Sequence, residues 1–412
     1  MPGEIRIDPA LVERHVMILA RHGSDGGTGV RRLVYSPEWV AAQDQVAAWC
    51  AEAGLAVHRD AVGNVWGRLE GTEGGKAIVT GSHIDSQNPG GRYDGALGVI
   101  AAILAVRTLR ERFGRPKRTL EVLSLCEEEA SRFPGTSFWG SRAITGRIGP
   151  EDPDRIVGYG GETIAQAMRE VGLDPARIPE ARRDDIETFI ELHIEQGPIL
   201  EQAGLPVGIV TGLPGIRHYV VRVDGRSDHA GAMPMDLRHD PMAGAAEMIS
   251  GVINTARSMG RPAVTTVGRV LVEPNFPAIV PDRVTFTIDA RHPDPATRAV
   301  LNATHEALVT RAAADRGLQA VWDVSFDLEP CPSDAELVRT LEEAAREQGI
   351  PAQAMPSGAV HDTQRMADLA RVAMVFVQSQ GGRSHTPAEY TTPEDAAAGI
   401  RVLAAGLHHL AY

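Results

Sequence analysis

Over the first half of the chain, short apolar runs alternate with helical patterns, the arrangement of an α/β fold. Ala77-Ile78-Val79-Thr80 reads as a buried strand, followed by a Gly- and Asn-containing loop over 81–91. A helix is expected to begin near Asp94, because Leu97, Ile100 and Leu104 recur on one helical face. Residues 120–125 form the next predicted strand and run straight into Glu127-Glu128-Glu129, while the strand at 189–193 ends in polar residues. Acids and histidines thus collect at strand ends, where open α/β sheets build their sites.

The pattern changes after about Gly212. Residues 219–223 alternate like a half-exposed strand and 241–258 read as an amphipathic helix. Residues 264–272 and 283–291 read as two more strands, and 295–316 as a helix. That β-α-β-β-α order predicts a small α+β domain inserted into a larger one. From Pro332 the α/β character returns, with 372–377 as the last core strand. The expected division is a catalytic domain of 1–212 and 328–412, built on a mixed central sheet flanked by helices, with an inserted domain of 213–327.

Composition narrows the possible partners. A chain of 412 residues with 43% hydrophobic and 23% charged residues is ordinary for a globular enzyme. A formal net charge of −13 argues against nucleic acid or an anionic membrane as partner, yet leaves an anionic small substrate open. The start, Met1-Pro2-Gly3-Glu4-Ile5-Arg6, has no basic segment followed by an apolar stretch, so no secretory signal is expected. The longest apolar run, 95–106, is too short to span a bilayer. Three widely separated cysteines, Cys50, Cys126 and Cys331, fit a reducing compartment, and the expected location is cytoplasmic.

Four segments place metal-type ligands beside glycines or at strand ends: 81–86, 91–95, 127–129 and 384–387, with His193-Ile194-Glu195-Gln196-Gly197-Pro198 as a fifth. A hydrolytic metal pair needs nitrogen and oxygen ligands and a carboxylate that bridges ions about 3.5–4 Å apart. It also needs a second, uncoordinated carboxylate to take a proton from the attacking water. His83, His193 and His385 can supply imidazoles and Asp94 the bridge. Successive glutamates leaving a strand point in different directions, so one can bind metal while its neighbour serves as base. Asp85, two residues after His83 on an extended chain, can accept the imidazole's other N–H. Taken singly, each has a plainer reading: a strand-end histidine is usually packed or exposed, and an EEE run usually starts a helix. Their co-occurrence on one sheet edge carries the case.

The stretches Gly81-Ser82-His83-Ile84-Asp85-Ser86 and Gly90-Gly91-Arg92-Tyr93-Asp94-Gly95 resemble the first metal motif of the M20 metallopeptidase superfamily. More closely, they resemble its branch of N-carbamoyl-L-amino-acid hydrolases, β-ureidopropionases and allantoate amidohydrolases. Glu128-Glu129-Ala130-Ser131-Arg132-Phe133, Asp228-His229-Ala230-Gly231, Asp289-Ala290-Arg291-His292-Pro293, Ser357-Gly358-Ala359-Val360-His361-Asp362 and Ser384-His385 follow in family order, across nearly the whole chain. The resemblance implies His83, Asp94, Glu129, His193 and His385 as ligands of two divalent ions, Zn or Mn first and Co or Ni next, with Asp94 bridging. It implies Glu128 as general base, Glu127 as a structural acid and Asp85 as partner of His83. The inserted domain corresponds to the family's lid and dimerisation domain, which implies a homodimer. On that domain the resemblance implies His229 as the group that polarises the substrate carbonyl and Arg291 as the one that binds the substrate carboxylate. Gln196 would contact an amide or ureido group, and Ser384 joins the implied substrate contacts.

Two departures from the pattern concern the substrate. Ala278 stands where relatives have Asn before a Val-Pro segment, with Asn275 nearby as a replacement. His218 stands where allantoate amidohydrolases have arginine, with Arg217 before it. Losing a polar partner costs discrimination for a substrate that needs it, so a ureido or N-carbamoyl amino acid is expected ahead of allantoate. The expected products are amino acid, ammonia and CO2. An N-acyl amino acid deacylase or dipeptidase of the same fold is the alternative within hydrolases. A non-catalytic binding protein on an inactivated hydrolase fold is the alternative outside them. A serine nucleophile lacks its GxSxG elbow, and Gly74-Gly75-Lys76-Ala77 lacks the Ser/Thr of a phosphate-binding loop.

Overall fold

The computed structural model describes residues 3–412, so the first two residues of the stretch read for a leader lie outside the described residues. Two compact units emerge: Met1–Thr211 with Ser333–Tyr412, and Gly212–Pro332.

In the large unit, apolar runs buried along nearly their whole length become the central strands of one eight-stranded sheet. Its order is Ala56–Arg59, Val65–Leu69, Leu120–Leu125, Ala77–His83, Ile186–Ile194, Arg371–Val377, Val207–Val210, Ala352–Met355. The four central strands are parallel and both flanks bring in antiparallel pairs, so the sheet is mixed, as expected. Parallel strands covered on both faces read as continuous apolar runs. The helix Ala96–Phe113 is buried along nearly all of its first eleven residues and packs on this sheet together with Pro393–Ala411. It starts at Ala96 rather than at Asp94, because Asp94 and Gly95 form the turn that leads into it.

The small unit is a five-stranded antiparallel sheet centred on Gly215–Asp224 and Arg283–His292, with the helices Pro241–Met259 and Pro295–Asp315 on one face. Asp240 and Asp294 cap these helices through their first-turn N–H groups. Tyr219, Val221, Val223, Phe286 and Ile288 meet Met248, Val252, Leu301 and Val309 in its core.

Within the small unit the strands differ from the sequence reading in two places. The single strand expected over 264–272 is split into Val264–Thr266 and Val270–Glu273, both paired with Arg283–His292. Thr266 opposes Asp289 and Val270 opposes Phe286, so one strand carries an extra residue beside Gly268, a bulge. A further strand, Gln319–Leu328, was not expected; it pairs with Gly215–Asp224 and keeps the chain in the small unit past 327. Its apolar residues alternate without a break, at Ala320, Trp322, Val324, Phe326 and Leu328, and the register shift between Val324 and Phe326 moves that set from the face of Tyr219 to the face of His218. No helix among the described residues is long and apolar enough to cross a membrane.

Candidate metal centre

The strands Ala77–His83, Leu120–Leu125 and Ile186–Ile194 end side by side, and their ends and following turns deliver His83, the glutamate run and His193 to one place. Asp94 enters from the turn before the long buried helix. Its Oδ1 lies 3.5 Å from His83 Nε2 and 3.2 Å from His193 Nε2. Its Oδ2 lies 3.5 Å from His385 Nε2, which is also 3.5 Å from Glu129 Oε2. Two ligand triads therefore share Asp94: His83–Asp94–His193 and Asp94–Glu129–His385. The structure brings the five expected ligands together, with Asp94 between the two triads.

The donor set fits divalent ions on tautomer grounds. His83 Nδ1 lies 3.2 Å from the Asp85 carbonyl oxygen, and His193 Nδ1 lies 2.9 Å from that of Ile194. With each Nδ1–H directed at a carbonyl, both Nε2 atoms are left as acceptors beside Asp94, that of His193 accepting the Gly95 N–H at 3.0 Å; this is the tautomer a metal needs. Gly95 allows this approach: its φ is 60°, and a Cβ there would lie 2.4 Å from His83 Cε1 and Nε2. Burial works against the Asp94 carboxylate, but His193, His385 and His83 outweigh it and hold it well below the usual range. Burial and Asp94 push Glu129 up to about 7, while the Asp94 hydrogen bond raises His385 to about 9.

Glu128 is largely buried, its side chain 10% exposed, and its Oε2 lies 3.9 Å from His83 Nε2, beside the first triad. Glu127 and Ala130 both take positive φ, 51° and 52°, so the chain turns sharply and sends Glu128 and Glu129 different ways. Burial raises the Glu128 carboxyl well above the usual range, against His83 and with Glu129, Asp362 and Asp85. A carboxyl in such surroundings is suited to taking a proton and returning it. Glu127 turns inward instead and accepts the Thr136 hydroxyl at 2.8 Å.

Asp85 does more than the sequence indicated. Its carbonyl oxygen takes the hydrogen bond with His83, and its carboxylate lies 3.4 Å from the same Nδ1. Both carboxylate oxygens accept peptide N–H groups, those of Glu128 at 3.1 Å and Glu129 at 3.0 Å. Gln196 donates from Nε2 to Asp94 Oδ2 at 2.8 Å, and its buried Oε1 has no partner. Ser384, expected at the substrate, is instead held within the protein: its hydroxyl lies 2.7 Å from Asp94 Oδ2 and 3.0 Å from Glu389 Oε2.

Other residues at the site carry no role in the sequence reading. Gln87 donates to Glu129 Oε2 at 2.8 Å, and Glu389 accepts the peptide N–H groups of Tyr93 and Asp94. Glu191 stands two residues before His193 on a buried strand and accepts the Ser82 and Thr363 hydroxyls. A charge inside a fully buried strand was the signal for it. His361 lies with its ring centroid 4.4 Å from that of His193, and burial holds it well below its usual value, a neutral imidazole.

The remaining expected residues belong to the small unit. His229 stands on the two-residue strand Asp228–His229, paired with Ile279–Val280, and its Nδ1 accepts the N–H groups of Gly231 and Ala232, both at 3.0 Å. Its proton is thereby placed on Nε2, a donor suited to a carbonyl oxygen. Arg291 and Asp289 form a two-pronged pair, with both contacts at 2.8 Å, and His218 Nε2 reaches the same carboxylate at 3.1 Å. Arg217, adjacent to His218, points to the opposite, helix-bearing face, where it pairs with Asp327 at 2.6 Å and approaches Glu306 at 3.8 Å. It therefore does not share a face with His218 and Arg291. Asn275 is exposed with a φ of 56°, a turn conformation that asparagine tolerates. That conformation accounts for the residue without a substrate contact.

Two triads of imidazole and carboxylate sharing one aspartate, with an uncoordinated glutamate beside them, define a metal-dependent hydrolase. The chain belongs to the family described as peptidase family M20/M25/M40, whose model matches residues 54–409. It is 42% identical to the allantoate amidohydrolase of Bacillus subtilis (strain 168), over 96% of each chain. It is 39% identical to an N-carbamoyl-L-amino acid amidohydrolase of Geobacillus stearothermophilus, over 95% of each. A crystal structure of an amidase of the hydantoinase/carbamoylase family from Burkholderia multivorans superposes with a TM-score of 0.91 at 34% identity, covering 98% of both chains. Within the family, this chain is a hydrolase of non-peptide C–N bonds from the hydantoinase/carbamoylase branch.

Proposed function

We propose that the chain hydrolyses the ureido C–N bond of an N-carbamoyl amino acid or a closely similar small carboxylate, releasing amino acid, ammonia and CO2. The observation that carries this reading is Gln196, whose Nε2 is committed to Asp94 while its buried Oε1 has no partner. That oxygen offers an acceptor to an N–H2 beside the scissile carbonyl, which a ureido group has and an N-acyl group lacks.

His83, Asp94 and His193 would hold one divalent ion and Asp94, Glu129 and His385 a second, with Zn or Mn the first candidates and Co or Ni next. Bound there, they would supply Lewis-acid polarisation of the carbonyl and a more acidic attacking water. Glu128 takes the proton from that water and returns it to the leaving nitrogen, and its raised pKa suits both directions. His229 would donate from Nε2 to the carbonyl oxygen, and Arg291, oriented by Asp289, would receive the substrate carboxylate as a bidentate partner. Both groups lie in the small unit, the counterpart of the lid that the family resemblance implies. A homodimer through that unit is supported by the edge strand Gln319–Leu328, which exposes Val321 and Val324. The spacing and burial of the three cysteines support a cytoplasmic setting.

The test is release of ammonia and amino acid from N-carbamoyl-L-amino acids, ureidopropionate, allantoate and N-acetyl or N-formyl amino acids. Metal-stripped protein and Glu128→Gln run alongside. Ammonia from a ureido compound, abolished by stripping and by Glu128→Gln, is the expected result. Amino acid from the acyl compounds alone would keep the metal chemistry and refute the ureido reading.

A further inference from the structure

Glu389 is 4% exposed and lies four residues after His385, on the short turn that follows it. Its Oε1 accepts the peptide N–H groups of Tyr93 at 2.8 Å and Asp94 at 2.9 Å. Its Oε2 lies 3.0 Å from the Ser384 hydroxyl, which in turn reaches Asp94 Oδ2 at 2.7 Å. The space over Gly91 is filled by this carboxylate, since a Cβ there would lie 2.2 Å from Oε1. One buried carboxylate thus grips the backbone of the shared aspartate and, through a serine, one oxygen of its side chain.

Which oxygen is gripped gives the contact its specificity. Asp94 Oδ1 faces His83 and His193, while Oδ2 faces His385. The chain Glu389–Ser384 ends on Oδ2. His385 itself has a φ of 56°, a conformation a non-glycine residue keeps only when its surroundings hold it.

We propose that Glu389 is a positioning residue for one of the two ions: it clasps the turn carrying Asp94 to the turn carrying His385 and so sets the geometry of the Asp94–Glu129–His385 triad. The inference rests on the two-ion reading above, and it predicts an asymmetry that a general role in folding does not. Losing the clasp weakens the ion of that triad and spares the ion at His83–Asp94–His193.

The experiment is titration of Zn2+ into metal-stripped protein against a chromophoric chelator, which resolves two binding steps. It uses wild type, Glu389→Ala, Glu389→Gln, Ser384→Ala and Glu129→Ala. Thr391→Ala, a buried change in the same segment whose hydroxyl bonds only the Gln378 carbonyl at 3.0 Å, controls for loosening of the loop. Glu389→Ala is expected to weaken one ion by about 10–100-fold and leave the other within about threefold, the scale seen when a ligand's supporting partner is removed. Glu389→Gln should restore most of the loss, because its amide oxygen still accepts both N–H groups. In the Glu129→Ala background, Glu389→Ala should add nothing, since the affected ion is already lost. Should Glu389→Ala fail to fold, Ser384→Ala decides, with a loss confined to the same ion expected. Equal weakening of both ions, no weakening, or the same selective loss in Thr391→Ala overturns the clasp. A wild-type chain that binds fewer than two ions overturns the two-ion reading and the clasp with it.

Discussion

Exchanging Asp85 for asparagine changes no volume to speak of, yet it should disable the glutamate turn. In the folded chain each carboxylate oxygen of Asp85 accepts one peptide N–H, from Glu128 at 3.1 Å and from Glu129 at 3.0 Å. An amide presents one oxygen and one NH2, so one of these contacts becomes a donor facing a donor. A hydrogen bond to a charged group contributes about 1.5–3 kcal/mol, and a buried N–H left unpaired adds its own desolvation cost. Asp85 is fully buried, so bulk water does not compensate, and the combined loss is about 3 kcal/mol. For a unit this large, that corresponds to a fall in Tm of about 5 °C. The comparison is made with ions bound, because in stripped protein the relief of repulsion among Glu127, Glu129 and Asp85 works the other way. The Glu128 amide decides where its carboxylate stands, so kcat should fall at least about tenfold while KM moves little. Thermal unfolding of the loaded proteins and kinetics on the best substrate provide both readings. An Asp85→Asn protein with wild-type Tm refutes the energetic argument. One that loses Tm but keeps kcat refutes the link between Asp85 and the base.

Gly95→Ala places a Cβ 2.4 Å from the His83 ring at a φ of 60°, so it should cost about 2–3 kcal/mol or more and sharply lower bound metal, measured by elemental analysis. Normal metal content there would refute the packing argument. Arg291→Lys should raise KM more than about tenfold with little change in stability, because a single ammonium cannot replace the two-pronged guanidinium. Arg217→Ala should do the reverse, destabilising the small unit while leaving KM near wild type, and a KM effect at Arg217 would contradict its placement with Asp327. His305 is buried in the small unit, and that burial pushes its imidazole down to about 4 from an ordinary 6.5. The folded unit therefore binds fewer protons than the unfolded chain, so stability is full above about pH 6.5 and falls towards pH 4 by up to about 3 kcal/mol. Urea unfolding of wild type and His305→Gln across that range checks this, and parallel curves for the two proteins would refute it.

Much of the site was legible because its chemistry is concentrated. His83, Asp94, Glu128, Glu129, His193 and His385 sit at the ends of strongly apolar strands or beside glycines, and both signals survive in a linear sequence. Glu389 and Gln87 were not legible for a physical reason: a carboxylate or amide that supports a ligand through backbone N–H groups needs a particular approach in space, not a particular spacing along the chain. The strand Gln319–Leu328 keeps an apolar residue at every second position from Ala320 to Leu328, and the register shift between Val324 and Phe326 then turns that set to the other face, which a one-dimensional pattern does not follow.

One error of the sequence reading could have been avoided from the sequence itself. Arg217 and His218 were both expected at the substrate, yet neighbours on a strand point to opposite faces. Tyr219, Val221 and Val223 form the apolar set that faces the helices, and Arg217 is in phase with them. Only His218 is in phase with the open face. By the same alternation Asp289 and Arg291 leave the open side of their strand, while Ile288 and Ala290 go to the core. Register then finishes the argument, since Asp289 lies directly opposite His218 in the ladder. The group that stands beside Arg291, and so the one whose replacement should alter substrate choice, is therefore His218. The neighbouring arginine serves instead to tie the sheet to its helix through Glu306 and to the next strand through Asp327.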